Sequence, residues 1–303
     1  MRAPCETLTR SAESSVPCRK QAQPWVLAAT ILGSSMAFID STVVNVALPA
    51  LQATFHSTVV DVQWVVESYG LFLAALILVG GLLGDLFGRR VIVISGVAIF
   101  VVASAVCGVA GNIDELIVAR SIQGMGAALL VPGSLAIISA SFEQESRGRA
   151  IGTWSGFTAI TTALGPVPGG WLVQHTSWRW VFFINIPIAA VVISISLWRI
   201  PESRSGKGLR MDWLGATLAT LGLGGVVNGF IESTNLGWGH PLVFGTLTAG
   251  LCCLLLFVLV EARTKPLWFR SDSSRTPALV AQTCSLCFCT PPSACSSFCF
   301  HST

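Results

Sequence analysis

Charged side chains are scarce in this 303-residue chain: Asp, Glu, Lys and Arg make up 11% of it, whereas 52% of its residues are hydrophobic. Soluble domains carry about 25% charged residues, so the composition excludes a water-soluble fold of this size. The net charge is only +3 and forms no basic stripe, which argues against a nucleic-acid partner. The composition therefore predicts a protein whose main partner is the lipid bilayer.

Catalytic and metal-binding patterns are also missing. The four histidines are scattered, no phosphate-binding loop occurs, and no His/Asp/Glu cluster has catalytic spacing, so we do not expect an enzyme. Five of the ten cysteines lie in a Ser/Cys/Pro-rich stretch after Arg270, where Cys284 and Cys287 precede His301. Zinc is the alternative for this stretch, but no second well-spaced pair accompanies it, so we expect no metal. The abrupt change in composition favours a truncated or frame-shifted reading frame.

Long apolar runs account for most of the remaining chain. A helical span needs about 20 mostly apolar residues, whereas membrane barrel strands have about 10 residues of alternating polarity, so we predict helices. The first run is too long for the apolar core of a secretory signal, which has about 7–15 residues. The predicted spans are 25–49, 63–85, 91–111, 116–140, 150–173, 179–199, 212–232 and 242–261.

The distribution of Lys and Arg predicts the orientation. If the N-terminus is cytoplasmic, all but two of the 18 Lys and Arg residues fall on the cytoplasmic side; Arg179 lies outside and Arg120 lies in the membrane. Cytoplasmic loops carry the excess of Lys and Arg in membrane proteins. The tryptophans fall at or near span ends, as an interfacial belt requires. We therefore predict a multi-pass protein of the cell membrane, with a cytoplasmic tail over residues 1–24.

Three ionisable residues stand out within the predicted spans: Asp40, Glu67 and Arg120. A charge at a helix centre costs about 2.5–3.5 kcal/mol on insertion scales, so such residues are candidates for function. Two alternatives remain open. Asp40 can belong to a polar patch with Asn45 that joins helices by hydrogen bonds. Arg120 can extend towards the membrane surface, near the acidic pair at 114–115.

A specific loop separates the second and third predicted spans. It carries Gly81, Asp85, Gly88, Arg89 and Arg90 within ten residues. A short loop between membrane spans usually needs nothing so specific, which points to a function for this motif. The alternative, for Arg90 in particular, is anchoring at the cytoplasmic surface by positive charge alone.

The fifth predicted span contains a Pro/Gly motif with Gly165, Pro166, Gly169 and Gly170. Proline removes a backbone donor and kinks a helix, and glycine lets a neighbouring helix pack closely. The alternative is a helix that ends in a turn. Continuation of the apolar run from Trp171 onwards argues against it.

Together these residues resemble the drug:proton antiporter branch of the major facilitator superfamily, specifically its fourteen-span type. The loop 81–90 is similar to that family's loop motif, although Leu86 stands where the family often has a basic residue. Further runs, each on the expected span, also resemble motifs of this branch: 39–49, 120–126, 165–170, 178–187 and 212–215. The resemblance covers residues 25–270.

The resemblance implies an all-α membrane protein with a major facilitator N-terminal six-helix bundle and two further transmembrane helices. The implied parts are the bundle at 25–200, a cytoplasmic loop at 201–211, the two additional spans at 212–262 and a cytoplasmic tail at 263–303. It implies export of small amphipathic compounds in exchange for protons, with the proton gradient as energy source and no cofactor. The alternative function is a truncated, non-transporting membrane fragment or interaction subunit. The identity of the substrate stays open.

The resemblance also implies roles for the candidate residues. A carboxylate in low dielectric favours its protonated form, so it can load and release a proton as its exposure to solvent alternates. We expect Arg120 to bias such a carboxylate, with Asp40 as the first choice and Glu67 in reserve. The other implied parts are a cytoplasmic latch of Gly81, Asp85, Gly88, Arg89 and Arg90, an antiporter motif of Gly165, Pro166, Gly169 and Gly170, and a substrate path lined by Asn45 and Gln123.

Overall fold

The computed structural model describes residues 22–203 and 213–263 of the chain. Within these ranges the regular structure is helical and contains no strand, which confirms the predicted all-α class. The helices are α1 (Gln23–Phe55), α2 (Val59–Phe87), α3 (Arg89–Val109), α4 (Ile113–Ser141), α5 (Gln144–Leu164), α6 (Pro166–His175), α7 (Trp180–Phe183), α8 (Asn185–Arg199), α9 (Trp213–Leu236) and α10 (Pro241–Arg263).

Helices occupy all eight predicted ranges, but two of the ranges are kinked. The fifth divides into α5 and α6 at Gly165, and the sixth divides into α7 and α8 at Ile184. Both residues keep helical backbone angles, with φ −46° and ψ −49° at Gly165 and φ −59° and ψ −24° at Ile184. Pro166 follows the first kink and Pro187 the second, and each lacks the amide donor that would continue the hydrogen-bond ladder. Each pair therefore forms one kinked segment.

In the part of the chain that the structure describes, six helical segments have the length and hydropathy of a membrane span: Gln23–Phe55, Val59–Ile77, Arg89–Val109, Ile113–Ser141, Trp180–Arg199 and Pro241–Val260. Neither the α5–α6 segment nor α9 combines the length of a membrane span with its hydropathy. The reasons lie in their sequences, because α5 begins with a charged turn and α9 is rich in Gly and Thr.

Local hydrogen bonds define the turn between α1 and α2. His56 ends α1 in the left-handed conformation, with φ 49°. Thr58 begins α2 with a capping box: the Asp61 amide donates to Thr58 Oγ1 at 3.3 Å, and the Thr58 amide donates to Asp61 Oδ2 at 2.8 Å. Such a box satisfies two donors that a helix start leaves unpaired, so α2 begins sharply after a short turn.

The central helix α4 packs against α1, α2 and α3. Glycine permits the closest approaches. A Cβ atom on Gly126 would lie 2.7 Å from the amide nitrogen of Phe100 on α3, and one on Gly124 would overlap the carbonyl oxygen of Tyr69 on α2. Helix association in a membrane rests on such van der Waals contact and on hydrogen bonds between helices. This packing brings polar side chains from several helices into one interior position.

The last two helices also use small residues for packing. On α9, a Cβ on Gly224 would lie 3.5 Å from Leu71 of α2, and one on Gly225 would lie 2.9 Å from the Cα of Gly250 on α10. The remaining surface of α10 carries exposed apolar side chains such as Leu251 and Leu255. That surface suits contact with lipid tails.

The predicted tails and loop lie mostly outside the described residues. The tail 1–24 is described only from Ala22, the loop 201–211 only as far as Ser203, and the tail 263–303 only at Arg263. Residues up to Val258 belong to one compact unit, and the described part of a second unit consists of the last residues of α10. The predicted domain boundaries stay predictions.

Candidate functional site

Polar side chains from α1, α2, α3, α4 and α8 meet in the interior of the bundle. Six of them are each at most 3% exposed, and we call them the polar cluster: Asp40, Tyr69, Ser104, Arg120, Gln123 and Asn185. Burial of a polar group costs free energy unless the group is hydrogen-bonded, and burial of a charge costs more. The partners of Asp40 and Arg120 therefore decide what this cluster can do.

The guanidinium group of Arg120 contacts four parts of the protein. Its Nη1 forms an ion pair and a hydrogen bond with Asp40 Oδ2. Nη1 also donates to Gln123 Oε1 at 2.8 Å, and Nε donates to the carbonyl oxygen of Val65 at 3.1 Å. The guanidinium carbon lies 4.3 Å from the centroid of the Tyr69 ring, within the range of cation–π attraction. Arg120 thus points into the bundle and does not extend to the membrane surface.

Both carboxylate oxygens of Asp40 accept hydrogen bonds from N–H donors. Oδ2 accepts from Arg120, and Oδ1 accepts from Gln123 Nε2 at 2.9 Å and from Asn185 Nδ2 at 3.0 Å. An ionised carboxylate only accepts, whereas a protonated one must also donate. The contacts around Asp40 therefore fit its charged form. Addition of a proton to Asp40 would leave Arg120 buried without a counter-ion. The charges of the cluster are therefore balanced in one charge state only, although Arg120 Nη2 has no hydrogen-bond partner among the described residues.

Asn185 is a member of the polar cluster that the sequence did not single out as a site residue. Its Nδ2 also donates to Ser104 Oγ at 3.0 Å, and the Ser104 hydroxyl donates to the carbonyl oxygen of Phe182 at 2.8 Å. The kink between α7 and α8 places Asn185 at the start of α8. Its signals in the sequence are an amide side chain inside an apolar run, which is less conspicuous than a charge, and its place in the run 178–187 that resembles a motif of the branch.

Two predicted site residues lie outside the polar cluster. Glu67 is exposed on α2, although it lies only two residues from Val65 and from Tyr69. Asn45 is exposed on α1, where its Nδ2 donates to the carbonyl oxygen of Ser41 at 3.1 Å. The structure thus brings Asp40, Arg120 and Gln123 together and leaves Glu67 and Asn45 at the surface of the bundle.

The loop motif forms a one-residue break between α2 and α3. Gly88 has φ 111°, a conformation that side chains with a Cβ rarely adopt. Asp85 Oδ1 accepts from Arg89 Nη2 at 2.9 Å and from Arg89 Nε at 3.1 Å, and Arg89 Nη1 donates to the carbonyl oxygen of Ala136 on α4 at 3.1 Å. Beside this motif, a Cβ on Gly80 would overlap α4 backbone, whereas a Cβ on Gly81 would make ordinary contact with Pro132 at 3.7 Å. Gly80 rather than Gly81 is therefore the glycine that close packing against α4 requires.

The segment after α8 contacts the start of α3. Arg90 Nη1 donates to the carbonyl oxygen of Ile200 at 3.2 Å, and the Arg90 amide donates to Glu202 Oε1 at 3.3 Å. The Arg89 amide donates to the carbonyl oxygen of Ser203 at 3.0 Å. A helix start favours carboxylate and carbonyl acceptors. Arg90 thus has specific partners within the bundle in addition to its positive charge.

The Pro/Gly motif places α6 directly against α1. A Cβ on Gly165 would overlap Thr42 Oγ1, and one on Gly169 would overlap Val43 Cγ1, whereas one on Gly170 would lie at an ordinary 3.6 Å from Val46. Both overlapped residues follow Asp40 within one turn of α1. The motif therefore sets the position of the helix that carries the buried carboxylate.

Gly169→Ala is expected to destabilise the protein by about 1–3 kcal/mol, because the added methyl group must displace the buried and β-branched Val43. Gly170→Ala is the matched control, and its stability is expected to stay equal or rise slightly, since Ala favours a helix over Gly. The measurement is the free energy of unfolding of each purified variant in mixed micelles. Equal destabilisation by the two substitutions would contradict the packing described for α6.

Comparison with known proteins identifies the family. Residues 30–212 match the Major Facilitator Superfamily. The chain belongs to this superfamily. It is 40% identical over 241 residues to the Methylenomycin A resistance protein of Bacillus subtilis, a match that covers 79% of this chain and 52% of that protein. It is 37% identical over 248 residues to the Tetracenomycin C resistance and export protein of Streptomyces glaucescens, covering 81% of this chain and 46% of that protein.

Two further comparisons extend this result. The Multidrug resistance protein Stp of Mycobacterium tuberculosis is 40% identical over 240 residues, which cover 78% of this chain and 44% of that protein. The chain spans about half the length of the curated relatives that it matches. Among solved structures, the peptide transporter POT in complex with sulfate superposes with a TM-score of 0.61 at 15% identity, covering 83% of this chain and 55% of that one. This likeness concerns the fold alone.

Family membership gives the helices their places. The superfamily match extends from α1 past the end of α8, so α1 to α8 form the N-terminal six-helix bundle, with α5–α6 as its fifth segment and α7–α8 as its sixth. The additional helices α9 and α10 follow this bundle. The chain is accordingly a multi-pass membrane protein of a transporter family rather than an enzyme.

Within 22–203 and 213–263 no three His, Cys, Asp or Glu side chains are placed to hold a metal ion, and the stretch with Cys284, Cys287 and His301 lies outside these ranges.

Proposed function

We propose that this chain forms the N-terminal part of a proton-coupled exporter of small amphipathic compounds, and that Asp40 carries the proton. The observation on which the proposal depends is the buried ion pair of Asp40 and Arg120, in which every contact with the carboxylate suits its charged form. Export is supported by relatives whose names denote antibiotic resistance and export. Since the matched regions make up about half of those relatives, the proposal concerns what this half contributes.

Protonation of Asp40 is the proposed switch. A proton on Oδ2 neutralises the carboxylate and removes its attraction for Arg120, which is then a buried cation without a counter-ion. Breaking a buried pair in this way costs about 3–5 kcal/mol. A proton that moves down the membrane potential supplies about 2.3 kcal/mol per 100 mV. The two energies are of the same order, so proton movement can offset much of the cost of a rearrangement that gives Arg120 a new partner or access to water.

The remaining members of the polar cluster have positioning roles in this mechanism. Gln123 is fully buried, and its Nε2 and Oε1 contact Asp40 and Arg120 respectively. We assign it to orienting the pair rather than to lining the substrate path. Asn185 holds Asp40 Oδ1 from α8, which ties α1 to α8 while Asp40 is charged. Asn45 is exposed on the same helix as Asp40, and it retains the proposed role of a substrate contact.

The same proposal extends to the remaining motifs. Asp85, Arg89 and Arg90 form the cytoplasmic latch, in which the half-exposed pair of Asp85 and Arg89 must break in each cycle. A partly exposed ion pair contributes little, about 0–1 kcal/mol, which suits a contact that opens repeatedly.

The helices α9 and α10 are the two additional spans of the fourteen-span branch. The N-terminus is cytoplasmic, as the distribution of Lys and Arg predicts, and the proton gradient is the only energy source, without a cofactor.

A chimeric exporter tests this function. In it, the 241 residues of this chain that align with the Methylenomycin A resistance protein replace the matched segment of that protein. The chimera, in vesicles with an imposed pH gradient, is expected to move an amphipathic dye such as ethidium against its concentration gradient. A proton ionophore is expected to abolish this movement. Dye movement that persists without a pH gradient, or a correctly inserted chimera that moves no dye, would contradict the proposal.

The 303-residue chain alone distinguishes the alternative function. Vesicles that contain only this chain are compared with vesicles that contain the chimera, under the same pH gradient. Dye export by the chain alone would exclude a non-transporting membrane subunit. Export by the chimera but not by the chain alone would assign the proton site to this chain and require a second half for transport.

A further inference from the structure

A groove of about 370 Å³ lies between α1 and α8, at the end of the bundle where α1 begins and α8 ends. We call it the α1–α8 groove. Its walls are mainly apolar, and the residues that matter for its chemistry are Trp25, Ala190, Val191, Ile195, Trp198 and Arg199. Trp25 precedes Asp40 by 15 residues of helix, or about 22 Å at 1.5 Å per residue, so the groove is separate from the polar cluster.

Arg199 is the only charged residue of this groove and is held in place by aromatic rings. Its guanidinium carbon lies 4.1 Å from the centroid of the Trp198 ring and 5.7 Å from that of Trp25. The Nε atom is buried and has no hydrogen-bond partner among the described residues. A buried donor without an acceptor costs free energy. Because Nε is buried, a ligand in the groove can reach only the terminal nitrogens of Arg199. The groove therefore presents a guanidinium group, held by two aromatic rings, beside an apolar channel.

The position of the groove indicates its occupant. Trp25 and Trp198 lie near the beginning of α1 and the end of α8, at the level where tryptophan belts meet the membrane surface. Cations outnumber carboxylates next to these helix ends. Arg19 and Lys20 precede α1, and three cations, Arg204, Lys207 and Arg210, follow α8 together with one carboxylate, Glu202. Basic segments next to a membrane span attract anionic lipids. A planar guanidinium binds phosphate through two parallel hydrogen bonds, and an apolar channel suits an acyl chain.

We propose that the α1–α8 groove binds one anionic phospholipid, with its phosphate on Arg199 and an acyl chain along Val191 and Ile195. The lipid fills the apolar channel, and its phosphate accepts hydrogen bonds from the terminal nitrogens of Arg199. It also joins the first and last helices of the six-helix bundle at the membrane surface. This site is independent of proton transfer and of transport.

Lipid binding to the full 303-residue chain tests the proposal. Native mass spectrometry during titration with phosphatidylglycerol gives the dissociation constant of the first bound lipid, and phosphatidylcholine serves as the neutral comparison. Arg199→Gln is expected to weaken binding of the first phosphatidylglycerol about tenfold, the loss of one charge-assisted hydrogen bond. Arg199→Lys keeps the charge without the planar group. Its dissociation constant for the first phosphatidylglycerol is expected to lie between those of the unaltered chain and of Arg199→Gln.

Two further variants separate the parts of the site. Ala190→Phe fills the channel without a change in charge and is expected to weaken the first phosphatidylglycerol at least as much as Arg199→Gln. Arg149→Gln removes an exposed cation at the start of α5, on the same side of the bundle, and is expected to have no effect. Unfolding midpoints equal to that of the unaltered chain verify that each variant is folded.

Four results would overturn the proposal. Equal losses of phosphatidylglycerol affinity in Arg149→Gln and Arg199→Gln would mean a general surface charge effect. Unchanged affinity in Ala190→Phe would mean that the channel holds no acyl chain. Full competition by inorganic phosphate would mean a site for a free anion. Binding that begins only after deletion of residues 1–20 would mean that the N-terminal segment of the chain itself occupies the groove.

Discussion

Asp40→Asn in the chimera is expected to abolish pH-driven dye export, with a loss of at least about 100-fold, the lower end of the range that a positioned acid–base group contributes. Asn keeps the size of the side chain but cannot carry the proton. The substitution also removes the counter-ion of Arg120, so we expect a loss of about 3–5 kcal/mol in the free energy of unfolding. Dye export in vesicles and unfolding in mixed micelles measure the two effects.

Glu67→Gln is the matched control for this prediction. It neutralises a carboxylate on the neighbouring helix α2, but Glu67 is exposed and lies outside the polar cluster. Its export and stability are expected to stay close to those of the unaltered chimera. Normal pH-driven export by Asp40→Asn, together with loss of export in Glu67→Gln, would transfer the proton site to Glu67.

Arg120→Gln is expected to lower the free energy of unfolding by a similar amount, about 3–5 kcal/mol, because Asp40 then remains buried without its cation. The double variant Asp40→Asn/Arg120→Gln is expected to be more stable than either single variant. No uncompensated charge is left in it, and neutral replacements of a buried pair are often tolerated. Export is expected to stay absent in all three variants, because each lacks either the proton carrier or the group that responds to it.

A double-mutant cycle measures this coupling between Asp40 and Arg120. The four proteins are unfolded under the same conditions, and the coupling energy follows from their stabilities. Additive losses, with a double variant less stable than both single variants, would mean that the two side chains act independently. The description of Asp40 and Arg120 as one charge-paired unit would then be wrong.

The arrangement of helices follows largely from the sequence, because long apolar runs leave few alternatives in a membrane. The first predicted span at 25–49 lies within α1, and the third at 91–111 nearly coincides with α3. The kink at Gly165 was expected from the Pro/Gly motif, whereas the kink at Ile184 was not predicted. Apolar composition continues through both positions, and proline alone does not decide the outcome, since α1 continues past Pro49. Packing against neighbouring helices decides where such a segment bends.

The charged members of the polar cluster and Gln123 were predicted from the sequence, whereas Asn185 and Ser104 were not. Asp40 and Arg120 stand out because a charge inside an apolar run is costly. Asn185 and Ser104 are neutral, and their importance depends on contacts with residues far away in the chain, such as Asn185 with Asp40. Glu67 is the opposite case: its charge made it a candidate, but its side chain is exposed and lies outside the polar cluster.

The protonation state of Asp40 provides the most direct test of the central claim. Infrared difference spectra between neutral and acidic pH, recorded on the reconstituted 303-residue chain, report the appearance of protonated carboxyl groups. The prediction is a protonated carboxyl band, shielded from solvent exchange, that is present in the unaltered chain and in Glu67→Gln but missing in Asp40→Asn. Persistence of this band in Asp40→Asn would contradict the assignment of Asp40 as the proton carrier.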